Sequence, residues 1–282
     1  QFGQGPDLIY NTPDDTTSIC VTYRYDATKN NTERTYSSNA GPDTMFCTMD
    51  DVPTVNTVYA YTGTAMTGWV YYTNPGTDAA WRTPDDRCST YWDYEYDTGT
   101  GLKKRDIRRT CGTDSLPRTA DDTTAFTWYH EYEYDSSGNL TKQTWRDGPG
   151  PDGMWLTTDD AYRLFPGESP VVRTTYENNL PTTVLSSTSA GPDLIFGTND
   201  DPGTRTSTTY NAMKLPSEIA LYTIGADNQW NTADDVMTQY TVITYDANAN
   251  KTDQKSYNLG GDGMPKTPDD KVLLDLDFDA SR

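Results

Sequence analysis

The sequence predicts an all-β protein: a tandem array of eight units of about 36 residues, each an Asp-rich loop followed by a β-hairpin, wound as a solenoid or stacked as a rod. Three observations predict it. An eleven-residue frame, Gly-x-Asp, four variable residues, then Thr-x-Asp-Asp, recurs eight times. An aromatic residue, usually Tyr, follows each Gly by about twenty positions and is preceded by a period-two alternation. No stretch carries a helical stripe with caps.

The frame opens at Gly5, Gly41, Gly76, Gly112, Gly150, Gly191, Gly225 and Gly260, which makes residues 1–282 a single array with a truncated last unit. The aromatic landmarks are Tyr25, Tyr61, Tyr96, Tyr134, Tyr176, Tyr210, Tyr245 and Phe278. In the fourth unit Phe126, Trp128, Tyr132 and Tyr134 share one parity, and in the last unit Val272, Leu274, Leu276 and Phe278 do. That is the pattern of a half-buried strand. Turn residues such as Ser136-Ser137-Gly138-Asn139 come next, then a Thr-rich second run. Seven hairpins and one lone strand result. Residues 164–170 lengthen the fifth unit and form a candidate contact loop or a tolerated insertion.

The cysteines test the register. A four-residue turn over 98–101 sets Asp97 opposite Leu102 and Cys88 opposite Cys111, a reasonable cross-strand disulfide. Cys20 and Cys47 are left to pair by elimination. Four Cys with no CxxC pair and one His exclude a zinc site of Cys/His type. Two disulfides fit an extracellular or cell-surface location. The chain begins with Gln1, as expected where a signal peptide has been removed. No apolar run approaches the ~18 residues of a membrane span.

The net charge is −20, and the motifs hold 24 of the 42 acidic residues; the remaining 18 are outnumbered by 22 Lys and Arg. The acidity therefore belongs to the motifs. With no basic patch beside it, nucleic acid is not an expected partner. The candidate ligands are Asp7, Asp14 and Asp15; Asp43, Asp50 and Asp51; Asp78, Asp85 and Asp86; Asp114, Asp121 and Asp122. The later units supply Asp152, Asp159 and Asp160; Asp193, Asp200 and Asp201; Asp227, Asp234 and Asp235; Asp262, Asp269 and Asp270. A strand would spread such a triplet, whereas a curled loop converges it, and converging carboxylates call for a cation. Hard oxygen ligands suit up to eight Ca²⁺. The alternative is that Asp and Thr beside Gly are turn formers bonding their own backbone. The third variable residue is apolar or Pro (Tyr10, Phe46, Trp81, Pro117, Trp155, Phe196, Trp230, Pro265) and is expected to pack beneath the loop.

Tyr134-Asp135-Ser136-Ser137-Gly138-Asn139-Leu140-Thr141 resembles the tyrosine–aspartate (YD) repeat of RHS and teneurin β-shell proteins. Tyr245-Asp246 with its following turn and Tyr25-Asp26 with its own are further copies. The resemblance covers the hairpins. It implies an extracellular β-hairpin repeat with no enzymatic residues.

An enzyme is not expected, since the carboxylates repeat where a catalytic site needs a unique constellation. His130, the single His, falls within a strand. A structural role is expected: a calcium-stabilised extracellular subunit that self-assembles head-to-tail through its terminal repeats into a filament or surface layer. The open edge at 272–278 offers the contact. The alternative is a secreted calcium-dependent adhesion or carbohydrate-binding module, or a fragment of a longer YD-repeat surface protein. Asn30, Asn139 and Asn250 head N-glycosylation sequons in hairpin turns, and the Thr-rich faces are candidates for O-glycans.

Overall fold

A chain that alternates along a strand and then turns on Asp, Asn and Gly satisfies its backbone by pairing across the turn. The computed structural model describes residues 2–3, 16–17, 19–78, 80–124, 126–164 and 169–278. The first motif, with Asp7, Asp14 and Asp15, lies outside the described residues, as do 165–168 of the lengthened unit.

Two short strands, β1 (Phe2–Gly3) and β2 (Thr16–Thr17), pair across the first motif. Hairpins follow: β3 (Cys20–Tyr25) with β4 (Asn31–Asn39), β5 (Val52–Thr62) with β6 (Ala65–Asn74), and β7 (Arg87–Tyr96) with β8 (Lys103–Thr110). β9 (Phe126–Tyr134) and β10 (Leu140–Gly148) come next, with the two-residue β11 (Ala161–Tyr162) beside β10. Then β12 (Val171–Glu177) pairs with β13 (Leu180–Ser187), β14 (Gly203–Tyr210) with β15 (Pro216–Thr223), and β16 (Val236–Tyr245) with β17 (Lys251–Asn258). The lone β18 (Lys271–Asp277) ends the series. One 3₁₀ turn, Ala120–Thr124, closes the fourth loop. The chain forms two compact units, Gln1–Tyr129 and His130–Arg282. In each, strand order follows chain order and the pairing is antiparallel. A meander of this kind puts its hairpin turns along one edge of the sheet and its Asp loops along the other.

The hairpins turn as their Asp residues dictate. Asp135 Oδ1 accepts from Ser137 N at 2.8 Å and Asn139 N at 2.9 Å, and Asp246 and Asp26 repeat the arrangement. A β-bulge stands immediately before the landmark Tyr in six hairpins, at Tyr25, Tyr61, Tyr96, Tyr176, Tyr210 and Tyr245. The hydroxyls of Tyr96, Tyr176 and Tyr210 donate to the carbonyls of Met66, Leu140 and Pro181, tying each repeat to the one before.

Both disulfides form, with Cα separations of 5.2 Å for Cys20–Cys47 and 5.8 Å for Cys88–Cys111. The 98–101 turn sets Asp97 N against Leu102 O at 2.8 Å as expected. The bulge then offsets the register by one, so that Thr90 faces Thr110 and the disulfide closes just beyond that pair. The deepest position is five residues before the landmark Tyr, of opposite parity to Trp128 and Tyr132. It is filled by Cys20, Asn56, Tyr91, Tyr129, Val171 and Tyr240, none more than 4% exposed. On β9 Tyr129 is buried, Trp128, Tyr132 and Tyr134 of the aromatic stripe are half-buried, and Glu133 on the Tyr129 face is exposed. The last strand also departs from the half-buried expectation: all of Lys271–Asp277 is exposed, because among the described residues no further loop folds over it.

Candidate metal centre

Seven Asp loops are described, and one hydrogen-bond scheme shapes them. Positions are counted from the motif Gly as one. The Asp at position three accepts from the backbone N–H at position five, at 2.7–2.8 Å in every loop. The Asp at position ten reaches back: its Oδ2 accepts from the N–H at position three at 2.9–3.3 Å. Its Oδ1 meets the Thr hydroxyl at 2.5–2.8 Å. The Asp at position eleven accepts from the N–H at position seven in five loops. In the fourth and eighth loops the Thr N–H donates instead.

This closure explains the Gly. A Cβ on Gly41, Gly150, Gly191 or Gly225 would collide with the carbonyl of the Asp at position ten. One on Gly76, Gly112 or Gly260 would collide with that Asp's carboxylate. Position seven is left-handed in all seven loops, through Cys47, Arg82, Arg118, Leu156, Gly197, Asn231 and Lys266. Strain of this kind at non-Gly residues persists only where the surroundings over-determine it, and it gathers at functional sites.

The three carboxylates divide their roles. The position-eleven Asp lies under the loop: Asp86, Asp122, Asp160 and Asp201 are buried. The Tyr240 hydroxyl donates to Asp270 Oδ2 at 2.8 Å, which plants the eighth loop on β16. The position-three Asp faces solvent throughout. The position-ten Asp is held below the usual carboxylate range in every described loop. The Thr hydroxyl is the first cause, at Asp50, Asp85, Asp121, Asp159, Asp200, Asp234 and Asp269.

An oxygen-rich hollow results. Around Thr83 Oγ1 stand Asp85 Oδ1 at 2.7 Å, the Ala80 carbonyl at 3.1 Å, and Asp78 Oδ1 and Asp86 Oδ1 at 3.3 Å each. Asp152, Asp159 and Asp160 each offer an oxygen within 4.8 Å of the others, as do Asp193, Asp200 and Asp201. The other five described loops do not bring all three carboxylates that close. A further acidic group outside the motif, Asp253, Asp275 and Asp277, meets the same distance, but Lys255 lies among it at 3.2 Å from Asp253 and 3.5 Å from Asp275.

Of the aromatic residues within the frame, Trp230 is 2% exposed and donates its indole N–H to Asp201 O of the preceding loop at 2.8 Å, whereas Phe46, Trp81, Trp155 and Phe196 are half-buried. His130 stacks 4.6 Å from Trp145. The sequon amides serve their turns: Asn139 Nδ2 donates to Asp135 Oδ2 and Asn179 Oδ1, and Asn250 Nδ2 to Asp246 Oδ2. The motif frame did not reveal the cations that seat the loops. Arg82 and Arg118 stand at position seven, and Arg173 and Arg205 lie on the strands beneath. Their types differ from repeat to repeat, so no periodic signal marked them.

No protein-family model matches the chain, and no curated protein does. A crystal structure of TcdB2-TccC3-Cdc42 aligns at 12% identity with a TM-score of 0.35, covering 89% of this chain and 13% of that one. A porin-like protein from Bacteroides uniformis aligns at 11% identity and a TM-score of 0.33, covering 89% and 86%. The chain thus spans a small part of the first of these, and likenesses at such scores carry no argument about family or function.

Proposed function

We propose that the chain is an extracellular structural repeat protein of YD type, without catalytic activity, whose Asp loops bind Ca²⁺. The observation that carries the cation reading is the crowding at the motif Thr. A hydroxyl has one proton, yet four acceptor oxygens lie within 3.3 Å of Thr83 Oγ1. Three of the four belong to carboxylates, and in the fifth and sixth loops the three carboxylates come within 4.8 Å of one another, a crowding of negative oxygens that a hard cation relieves. Among the described residues, buried Asp122 Oδ1 and Asp235 Oδ1 have no hydrogen-bond partner and add acceptor capacity. The donor set is entirely oxygen, from carboxylate, carbonyl and hydroxyl, as Ca²⁺ prefers. The carbonyl at position five and the Asp at positions three, ten and eleven would hold the ion.

In this reading each bound ion pins the return from one hairpin to the next, so the array is stiff in calcium. The two disulfides support an oxidising, extracellular setting. The proposal extends to head-to-tail assembly of the array into a filament or surface layer, by pairing of exposed strand edges. The test is electron microscopy in calcium and after EGTA, with calorimetric titration of Ca²⁺ in parallel. Filaments that soften or dissolve on chelation, with several ions bound per chain, are expected. Discrete particles unchanged by EGTA, with no calcium heat, would overturn both the cation sites and the assembly.

A further inference from the structure

In the second unit the loop-bearing face of the sheet carries a basic row. Pairing sets Lys142 beside Arg173, Arg173 beside Leu185, and Leu185 beside Arg205. The two arginines therefore stand two strands apart, ~10 Å. They line a cavity of about 490 Å³ together with Tyr176, Thr183, Asn199 and Asn231.

The two cations are not equally satisfied. Arg205 has a carboxylate, Asp235 Oδ2 at 3.2 Å, and donates to Asn231 Oδ1 at 3.1 Å. Arg173 donates from Nη2 to the Thr198 carbonyl at 2.5 Å and to Asn199 Oδ1 at 3.3 Å, both neutral. Among the described residues no carboxylate comes within ion-pair distance of Arg173, and its buried Nε has no acceptor. Asp135, the acid in the lining, is committed to the N–H groups of its own turn. Burial pulls the Arg173 pKa below the usual guanidinium value, against the field of Asp201. A partly desolvated cation with only neutral partners is left with a cost that an incoming anion relieves.

The rest of the lining narrows the anion. Guanidinium groups take a carboxylate through paired N–H donors. Thr183, Asn199 and Asn231 supply hydroxyl and amide groups suited to a polyol, and Leu185 and the Tyr176 ring offer apolar surface for the face of a sugar ring. We propose that this cavity binds a carboxylated sugar, a uronic acid residue free or within an acidic glycan, with its carboxylate on Arg173 and its hydroxyls on the Thr and Asn groups. No motif Asp lines the cavity, but Asn199 and Asn231 belong to the sixth and seventh Asp loops and Arg205 pairs with Asp235, so the site borders the cation loops without sharing their carboxylates.

The test is calorimetric titration of the whole chain with sodium glucuronate, glucose and sodium sulfate, at saturating calcium and again in EGTA. Glucuronate is expected to bind with a dissociation constant of about 1 mM, a value usual for a single small ligand, and glucose at least tenfold more weakly. Arg173→Lys keeps the charge but loses the paired donors and should weaken glucuronate at least tenfold. Thr183→Phe fills the cavity without removing either arginine and should abolish binding with the melting temperature unchanged. Sulfate binding as tightly as glucuronate, binding untouched by both substitutions, or no heat from any of the three would overturn the proposal. Loss of calcium heat with glucuronate binding retained would overturn the cation reading alone.

Discussion

Arg82 Nη2 lies 2.7 Å from Glu33 Oε2, joining the third Asp loop to the second strand of the first hairpin. The Glu33 side chain is only 4% exposed, Arg24 Nε approaches the same oxygen at 3.2 Å, and Asn56 donates to the other at 2.5 Å. The left-handed turn at position seven swings the Arg side chain back over the sheet. The same position does the same elsewhere: Arg118 Nη2 stands 2.9 Å from Asp93 Oδ1, and Lys266 Nζ 2.6 Å from Glu218 Oε2. These three loops are clasped to earlier repeats by one cation each.

Removing the clasp leaves buried Glu33 with only Arg24 and Asn56, so a loss of about 2 kcal/mol, below that of a fully stranded ion, is expected. Arg82→Ala should destabilise the chain by about that amount in urea denaturation, and Arg82→Ala with Glu33→Gln by clearly less. Additive losses would show that the two groups act separately.

Two glycines of one loop separate close approach from backbone strain. Gly150 does not adopt a positive φ, but a Cβ there would strike the Asp159 carbonyl; Gly153 has φ 69° with nothing within 4 Å of its Cβ. Gly153→Ala should cost about 1 kcal/mol, the ordinary penalty for a left-handed L residue. Gly150→Ala should cost more, about 3 kcal/mol as for an overpacked site, and should open the fifth loop. Equal effects in denaturant titrations would contradict this closure.

The pH limits of stability follow from two sets of groups. The position-ten Asp residues have folded pKa values below their ordinary 3.8, first because of the Thr hydroxyl. Their contribution is complete above pH 3.8 and is lost as pH falls below it through the lowered values. Tyr91 and Tyr240 are pushed up to about 12, first by burial and then by bonding to Asp122 and Asp270. Their contribution is complete below pH 10.0 and is lost as pH rises from there towards 12. Melting temperatures in EGTA should be flat between about pH 5 and pH 9 and fall on both sides. A decline already complete at about pH 5 would exclude these groups as the cause.

Both disulfides lie in the first unit. Reduction should destabilise that unit by about 3 kcal/mol per bridge, the usual loop-closure value, and leave the second unchanged. Hydrogen exchange of His130–Arg282 before and after reductant reads this directly.

Much of this architecture was legible in the sequence. The motif period marked the loops, the Tyr landmarks marked the hairpins, and the four-residue turn at 98–101 led to Cys88–Cys111. The buried face was not legible. A bulge before Tyr96 adds one residue to one strand and so offsets every pair beyond it, and the Tyr that marks it in six hairpins reads along the sequence as one more alternating position. The buried position is filled by Cys20, Asn56, Tyr129 and Val171 in turn, residues with no shared chemistry. What they share is the loop folded over them, a tertiary fact that spacing along the chain does not carry. The same holds for Arg173, whose neighbours across the cavity come from other strands and loops.

Placing every Asp loop of a unit on one edge has a consequence for how long such a chain can become. Successive loops are separated by two strands, ~10 Å, close to the ~8 Å Debye length of physiological salt. Each cluster of charge feels its immediate neighbours and little beyond them. Repulsion along the edge is therefore a fixed penalty per added repeat rather than one that mounts with length, and electrostatics sets no ceiling on growth by duplication.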